Sequence, residues 1–220
     1  MRPGPTLLAS LAVVTLAGVC LGGSALAEPV VTLRRGGDPQ HRVDVVIVGD
    51  GYTAAEQGRF AADAERAAAA LLGEEPFATY ASYFNVRRID VISAQSGADQ
   101  PSLGVFVDTS LHAAFDCGGI NRLLCVDAAA VNAVLSRSVD AVSRDIVIVL
   151  VNHEQYGGSG GVYAVTSRHA LSLDIVLHEL GHSFGLLADE YGGPPPPACN
   201  AATEPAAANA TRQTIRDQIK

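Results

Sequence analysis

Two histidines and a glutamate stand in the stretch His178-Glu179-Leu180-Gly181-His182. On a helix, residues four apart lie about 40° apart around the axis and one turn along it. Both imidazoles can therefore hold one ion from one face. Glu179 stands about 100° from His178, near enough to reach a water on that ion and poorly placed to share it. Zinc-dependent hydrolysis requires this division of labour. Two neutral imidazoles and a third ligand hold the ion, and one position stays open for water. A nearby carboxylate takes the proton of the attacking water and later delivers it to the leaving amine. H-E-x-x-H is short enough to arise by chance, so its surroundings matter. Those surroundings are apolar (Leu171, Ile175, Val176, Leu180, Phe184 and Leu187). Two His and a Glu would thus sit within or beside a buried face, where unpartnered polar groups are costly.

The following residues offer a way to close the site. Gly185, three residues after His182, can end the helix and turn the chain back. A ligand just beyond that turn would close the site, and Asp189 is the preferred one, ahead of Glu190. Tyr191 is a candidate oxyanion stabiliser, with packing beneath the site as the plainer role. Asp174, one turn before His178, can orient that imidazole or be a solvated helix acid. His41, His112, His153 and His169 are expected to be solvated. Tyr156-Gly157-Gly158-Ser159-Gly160-Gly161 lacks the Lys-Ser/Thr of a phosphate-binding loop and reads as a flexible loop. Asn209-Ala210-Thr211 fits a glycosylation sequon and is taken as incidental.

These groups need a scaffold. Val43-Asp44-Val45-Val46-Ile47-Val48 is β-branched and ends at Gly49-Asp50-Gly51, which reads as a buried strand and a turn. Thr53 and Glu56 form a capping-box pattern ahead of an Ala-rich helix, Ala54 to Leu72. Phe84 to Ile92 is a second strand, Ser93 to Gly104 a loop, and Asp127 to Leu135 a short helix. Arg144 to Asn152 is the clearest strand in the chain. Val162 to Thr166 is a short strand, expected at an edge where it could pair with an extended substrate backbone. Leu171 to Leu187 is the helix that carries the His residues. The order β-α-β-α-β-β-α points to an α/β sandwich with a mixed, twisted sheet.

The 220 residues carry 15 Lys and Arg against 23 Asp and Glu, a net charge of −8. That balance, with no basic run, argues against nucleic-acid binding. Arg2, the apolar run Leu7 to Leu21 and Ala25-Leu26-Ala27 read as a secretory signal peptide cleaved near Ala27. The run is shorter than the ~20 apolar residues of a membrane span, so no membrane attachment is expected after cleavage. An exported chain permits disulfides. Cys117 and Cys125, separated by a segment containing Gly118-Gly119, are the expected pair, which leaves Cys199 odd. The expected organisation is a signal peptide (1–27), an N-terminal extension (28–41), a catalytic domain (42–193) and a Pro/Ala-rich segment (194–220).

At several of these places the chain resembles the bacterial immunoglobulin A-type zinc metallopeptidases. The likeness rests on V-I-V-G-D-G-Y-T near Val46, D-I-V-I-V-L-V-N near Asp145, Y-G-G-S-G-G at Tyr156 and H-E-L-G-H-S-F-G-L-L-A-D-E-Y at His178. It spans about Arg42 to Gly193. The resemblance implies a metzincin-like domain with Zn2+ as cofactor, His178 and His182 as ligands and Glu179 as catalytic base. It implies endopeptidase activity on a protein or peptide substrate. Two departures stand out. The metzincin pattern has a third His where this chain has Ala188. The family pattern also continues past D-E-Y with Met and Cys residues, whereas Met1 is the only Met here, which suggests an incomplete C-terminal part. The expectation is thus a secreted zinc endopeptidase. The rivals are a zinc amide hydrolase acting on cell-wall peptides and a non-catalytic binding module with a degenerate zinc site.

Overall fold

The computed structural model describes residues 27–188 and 207–210. The apolar run Leu7 to Leu21, Asp189, Glu190, Tyr191, Cys199 and Thr211 to Lys220 lie outside the described residues. The two strongest β-branched runs form the centre of the sheet. β1 spans Val30–Arg34, β2 Val43–Asp50, β3 Phe84–Ile89, β4 Ile146–Val151, β5 Gly158–Ser159 and β6 Ala164–Ser167. They lie side by side in the order β1-β3-β2-β4-β6-β5. β3, β2, β4 and β6 are mutually parallel, and the flanking β1 and β5 run antiparallel to their neighbours.

Strands covered on both faces read as continuous apolar runs rather than alternations. β2 and β4 show this. Val45, Ile47, Ile146, Ile148 and Leu150 face one core, and Val46, Val48, Val147, Val149 and Val151 face the other. The first core is covered by α1 (Gln57–Leu71) and α3 (Ser172–Ser183), through Phe60, Ala64, Leu71, Val176 and Leu180. The second is covered by α2 (Ala128–Ser138), through Val131, Val134 and Leu135. Each such Val, Leu, Ile or Phe side chain removed from water contributes about 1.5–3 kcal/mol. Among the described residues, no helix is long and apolar enough to cross a membrane.

Polar groups at the carboxyl ends of the central strands organise the connections. The Asp50 carboxylate is fully buried. It accepts from Ser93 Oγ at 3.1 Å, Leu111 N at 2.9 Å and Ala113 N at 3.0 Å, pinning the long segment after β3 over the end of β2. Asn152, just past β4, donates to Gly51 O at 2.9 Å and Glu56 Oε1 at 3.1 Å. Thr53 N and Oγ1 both donate to Glu56 Oε2, at 3.0 and 2.8 Å, so the Thr53–Glu56 cap forms as expected.

Four expectations shift. The helix expected from Ala54 opens with a single 3-10 turn (Ala54–Glu56) and becomes α-helical at Gln57. The second strand stops at Ile89, where Asp90 N turns to Pro29 O at 2.9 Å. Residues 28–41, expected as an extension, carry β1, which pairs with β3 and belongs to the sheet. β6 is not an edge, because the two-residue β5 pairs with its outer side.

Candidate active site

α3 starts directly after β6, and their junction is tied by buried hydroxyls. Thr166 Oγ1 donates to Ser172 O at 2.9 Å, and Ser167 Oγ and Ser172 Oγ lie 3.0 Å apart. Val176 and Leu180, one turn apart, anchor the helix to the core. His178 and His182 lie on the opposite side, and Glu179 on the flank between them and the core. The structure brings the two imidazoles together, with Glu179 beside His178 in the lining of one cleft.

The imidazole geometry suits a shared ion. The Nε2 atoms of His178 and His182 lie 3.2 Å apart, with the rings nearly perpendicular. Two nitrogens bound to zinc at about 2.0–2.1 Å in tetrahedral geometry stand roughly 3.3–3.4 Å apart. His182 Nδ1 lies 2.8 Å from the carbonyl oxygen of Leu187. A carbonyl can only accept, so Nδ1 carries the proton and Nε2 keeps its lone pair for a cation. These imidazoles can supply two of the three or four protein ligands that a zinc ion takes. Among the described residues no group of three His, Cys, Asp or Glu comes together. Asp189, the expected third ligand, lies outside the described residues, as do Glu190 and Tyr191.

The turn after α3 places that carbonyl. The helix ends at Ser183, shorter than the expected Leu187. Leu187 N returns to Gly181 O at 2.9 Å. Gly185 allows this approach, since a Cβ there would lie 2.9 Å from Gly181 O. The left-handed residue of the turn is Leu186, with φ of 54°. A branched side chain in that region is strained, and such strain persists only where surrounding contacts enforce it. Asn209 supplies contacts of this kind. Its Oδ1 accepts from Ala188 N at 2.7 Å and its Nδ2 donates to Ala188 O at 2.9 Å. Ala208 N also donates to Leu186 O at 2.9 Å. Asn209 is thus a clamp on the main chain just before Asp189, and not an incidental sequon.

Glu179 is partly buried and lies against the glycine-rich segment. A Cβ on Gly160 would collide with the Glu179 carboxylate, and one on Gly158 would come within 2.6 Å of Ile175 Cγ2. Ile175 and Glu179 are one helical turn apart, about 6 Å. Gly158 and Gly160 are two strand residues apart, about 6.6 Å. The two spacings match, so the helix face and the glycines fit in register. The segment expected as a flexible loop is therefore partly strand, and its glycines make room for the helix.

A cleft of about 350 Å³ opens beside His178 and Glu179. Asp174 and Ile175 continue the helix wall, Gly158 forms the base, and Tyr156, Ile120, Arg122 and Leu123 complete the lining. Asp174 is exposed on that wall. The other histidines are not uniformly solvated. His153 packs edge-on against Phe115 at 4.9 Å, and its Nδ1 accepts from Gln155 N at 3.0 Å. Burial depresses its pKa below the ordinary value. His169 packs against Tyr156 at 5.5 Å and accepts from Leu171 N at 3.2 Å. His41 and His112 are exposed. Cys117 and Cys125 are joined in a disulfide with a Cα–Cα distance of 6.3 Å.

Sequence reasoning missed Leu187 O, Asn209, Arg122 and the role of Gly158 and Gly160. Only the glycines left a usable signal, their two-residue spacing beside a helix with a four-residue repeat. The family described as IgA Peptidase M64 matches residues 31–220. Among curated proteins, nothing matches the chain.

Proposed function

The chain belongs to the IgA Peptidase M64 family, and from that premise we propose that it is a secreted, zinc-dependent endopeptidase with a metzincin-like catalytic domain. The observation that carries this reading is the 3.2 Å separation of His178 Nε2 and His182 Nε2. Family membership makes the protein a peptidase; the pair of imidazoles supports zinc as the proposed cofactor. His178, His182 and Asp189 would hold the ion, which when bound supplies Lewis acidity that acidifies a water and polarises the scissile carbonyl.

The protein's own groups do the rest. Leu187 O fixes the His182 tautomer, so that Nε2 binds without first losing a proton. Glu179 takes the proton of the attacking water and returns it to the departing amine, which must leave protonated at neutral pH. Its position against Gly160 holds the carboxylate beside the cleft rather than in solvent. Tyr191 would stabilise the developing oxyanion. The signal peptide expected before Glu28 would direct export.

Chelator treatment tests this reading. A peptide pool should be cleaved by the zinc-loaded protein, left intact after dialysis against a chelator, and cleaved again when zinc is restored. Cleavage at an unchanged rate by metal-free protein would overturn it.

A further inference from the structure

The cleft has two unlike walls. One is the helix face with Ile175, His178 and Glu179. The other is the disulfide-closed loop from Cys117 to Cys125, which contributes Ile120, Arg122 and Leu123. The loop is built into the sheet's edge. Gly158 N donates to Arg122 O at 3.2 Å, Leu124 N donates to Gly158 O at 3.3 Å, and Ser159 Oγ donates to Leu124 O at 2.6 Å. It turns through left-handed residues at Asp116 and Gly118, with φ of 63° and 60°. The Asp116 carboxylate braces that turn, accepting from Ser102 N and Asn121 Nδ2, each at 2.9 Å. The wall is therefore held on both sides of its cleft-lining residues.

Arg122 is the cation on this wall. It is exposed, and its guanidinium enters none of the ion pairs among the described residues. The other charged side chains in the cleft lining, Asp174 and Glu179, both lie on α3. A peptide side chain on the loop wall would meet Ile120 and Leu123 along its stem and the guanidinium at its head.

We propose that the Cys117–Cys125 loop is the substrate-recognition wall and that Arg122 selects a Glu or Asp side chain close to the scissile bond. The inference rests on the peptidase reading. It deepens that reading by naming the substrate class: peptides with an acidic residue beside the cleaved bond. A charge-assisted contact of this kind is worth about tenfold or more in affinity.

Quenched-fluorescence peptides that differ only in Glu, Gln or Lys, placed in turn at each position flanking the cleaved bond, provide the test. The zinc-loaded wild type should prefer Glu over Gln by about tenfold in kcat/KM at one position. Arg122→Ala should erase that preference, so that the Glu and Gln peptides are cleaved at equal rates. Arg122→Glu should shift the preference to Lys. Equal cleavage of Glu and Gln peptides at every position, or a preference that survives in Arg122→Ala, would overturn the inference and leave the peptidase reading intact. Should the wild type cleave no peptide, the peptidase reading fails. Binding of the same peptides to the Glu179→Gln protein, followed by fluorescence anisotropy, then decides this proposal alone. The Glu peptide must bind about tenfold tighter than the Gln peptide, and only while Arg122 is present; equal binding overturns it.

Discussion

His182 uses both ring nitrogens, and its second one shows how a single backbone carbonyl can tune the site. The Leu187 carbonyl holds the Nδ1 proton, and Leu187 in turn depends on a strained Leu186 and on the Asn209 clamp at Ala188. Groups that position ligands typically change metal affinity by 10–100-fold when removed. Asn209→Ala should therefore weaken zinc binding within about that range, measured by chelator competition, with little change in the circular dichroism of the metal-free fold. Asn209→Asp keeps the acceptor but loses the donor to Ala188 O, so its affinity should fall between the two. Equal zinc affinity in all three proteins would remove Asn209 from the site. At this scale the sequence made His178, Glu179 and His182 legible, because their spacing alone puts them on one side of a helix. The Leu187 carbonyl was not legible. Every residue has a carbonyl, and only the path of the turn decides which one faces an imidazole.

At the scale of elements, the site is a helix seated on the edge of a sheet. The match between Ile175/Glu179 and Gly158/Gly160 leaves no room for a methyl group at Gly160. Gly160→Ala should displace the Glu179 carboxylate and reduce kcat by about 100-fold, the scale of a small misplacement of a reacting group. Zinc content should stay at the wild-type level; loss of zinc together with activity would mean that the whole helix had moved. A second element-level test concerns the start of α1. Burial alone would raise the pKa of Glu56, but hydrogen bonds from Thr53, Ser96 and Asn152 outweigh it and hold the group at about 2. A carboxylate depressed on folding stabilises the native state above its ordinary pKa, and that contribution fades as pH falls through the folded value. Wild-type stability should thus fall more steeply than that of Glu56→Gln as pH drops from about 4.5 toward 2, followed by denaturant titration. Parallel curves would show that Glu56 contributes nothing. β2 and β4 could be read from their unbroken β-branched runs. β1 and β5 could not, since β1 alternates exposed and partly buried residues and β5 is only Gly158–Ser159, which carries no apolar signal.

For the whole molecule, the described residues form one sheet covered on both faces, with the candidate site on the second half of α3, where Glu179 lies against Gly160. The N-terminal side is tied in as well: Glu28 pairs with Arg137 and accepts from Ser138 Oγ at 2.8 Å, just after the expected cleavage at Ala27. The α/β class and the covering of both faces followed from the order of elements. The placement of the glycine-rich segment and of the disulfide loop beside α3 needed tertiary structure, because nothing local joins Gly160 to Glu179 or Arg122 to Ile175. An ion that binds only the folded state stabilises it in proportion to its saturation. At 1,000 times its Kd, zinc should add about 4 kcal/mol, or roughly 10 °C in Tm for a chain of this size. A Tm indifferent to zinc would argue against a specific site. The most direct test of the catalytic reading is peptide cleavage by Glu179→Gln, with zinc content measured on the same sample. One zinc per chain should be retained while kcat/KM falls by about 10²–10⁴-fold, the contribution of a general base. A variant that binds zinc and cleaves at the wild-type rate would contradict the role given to Glu179.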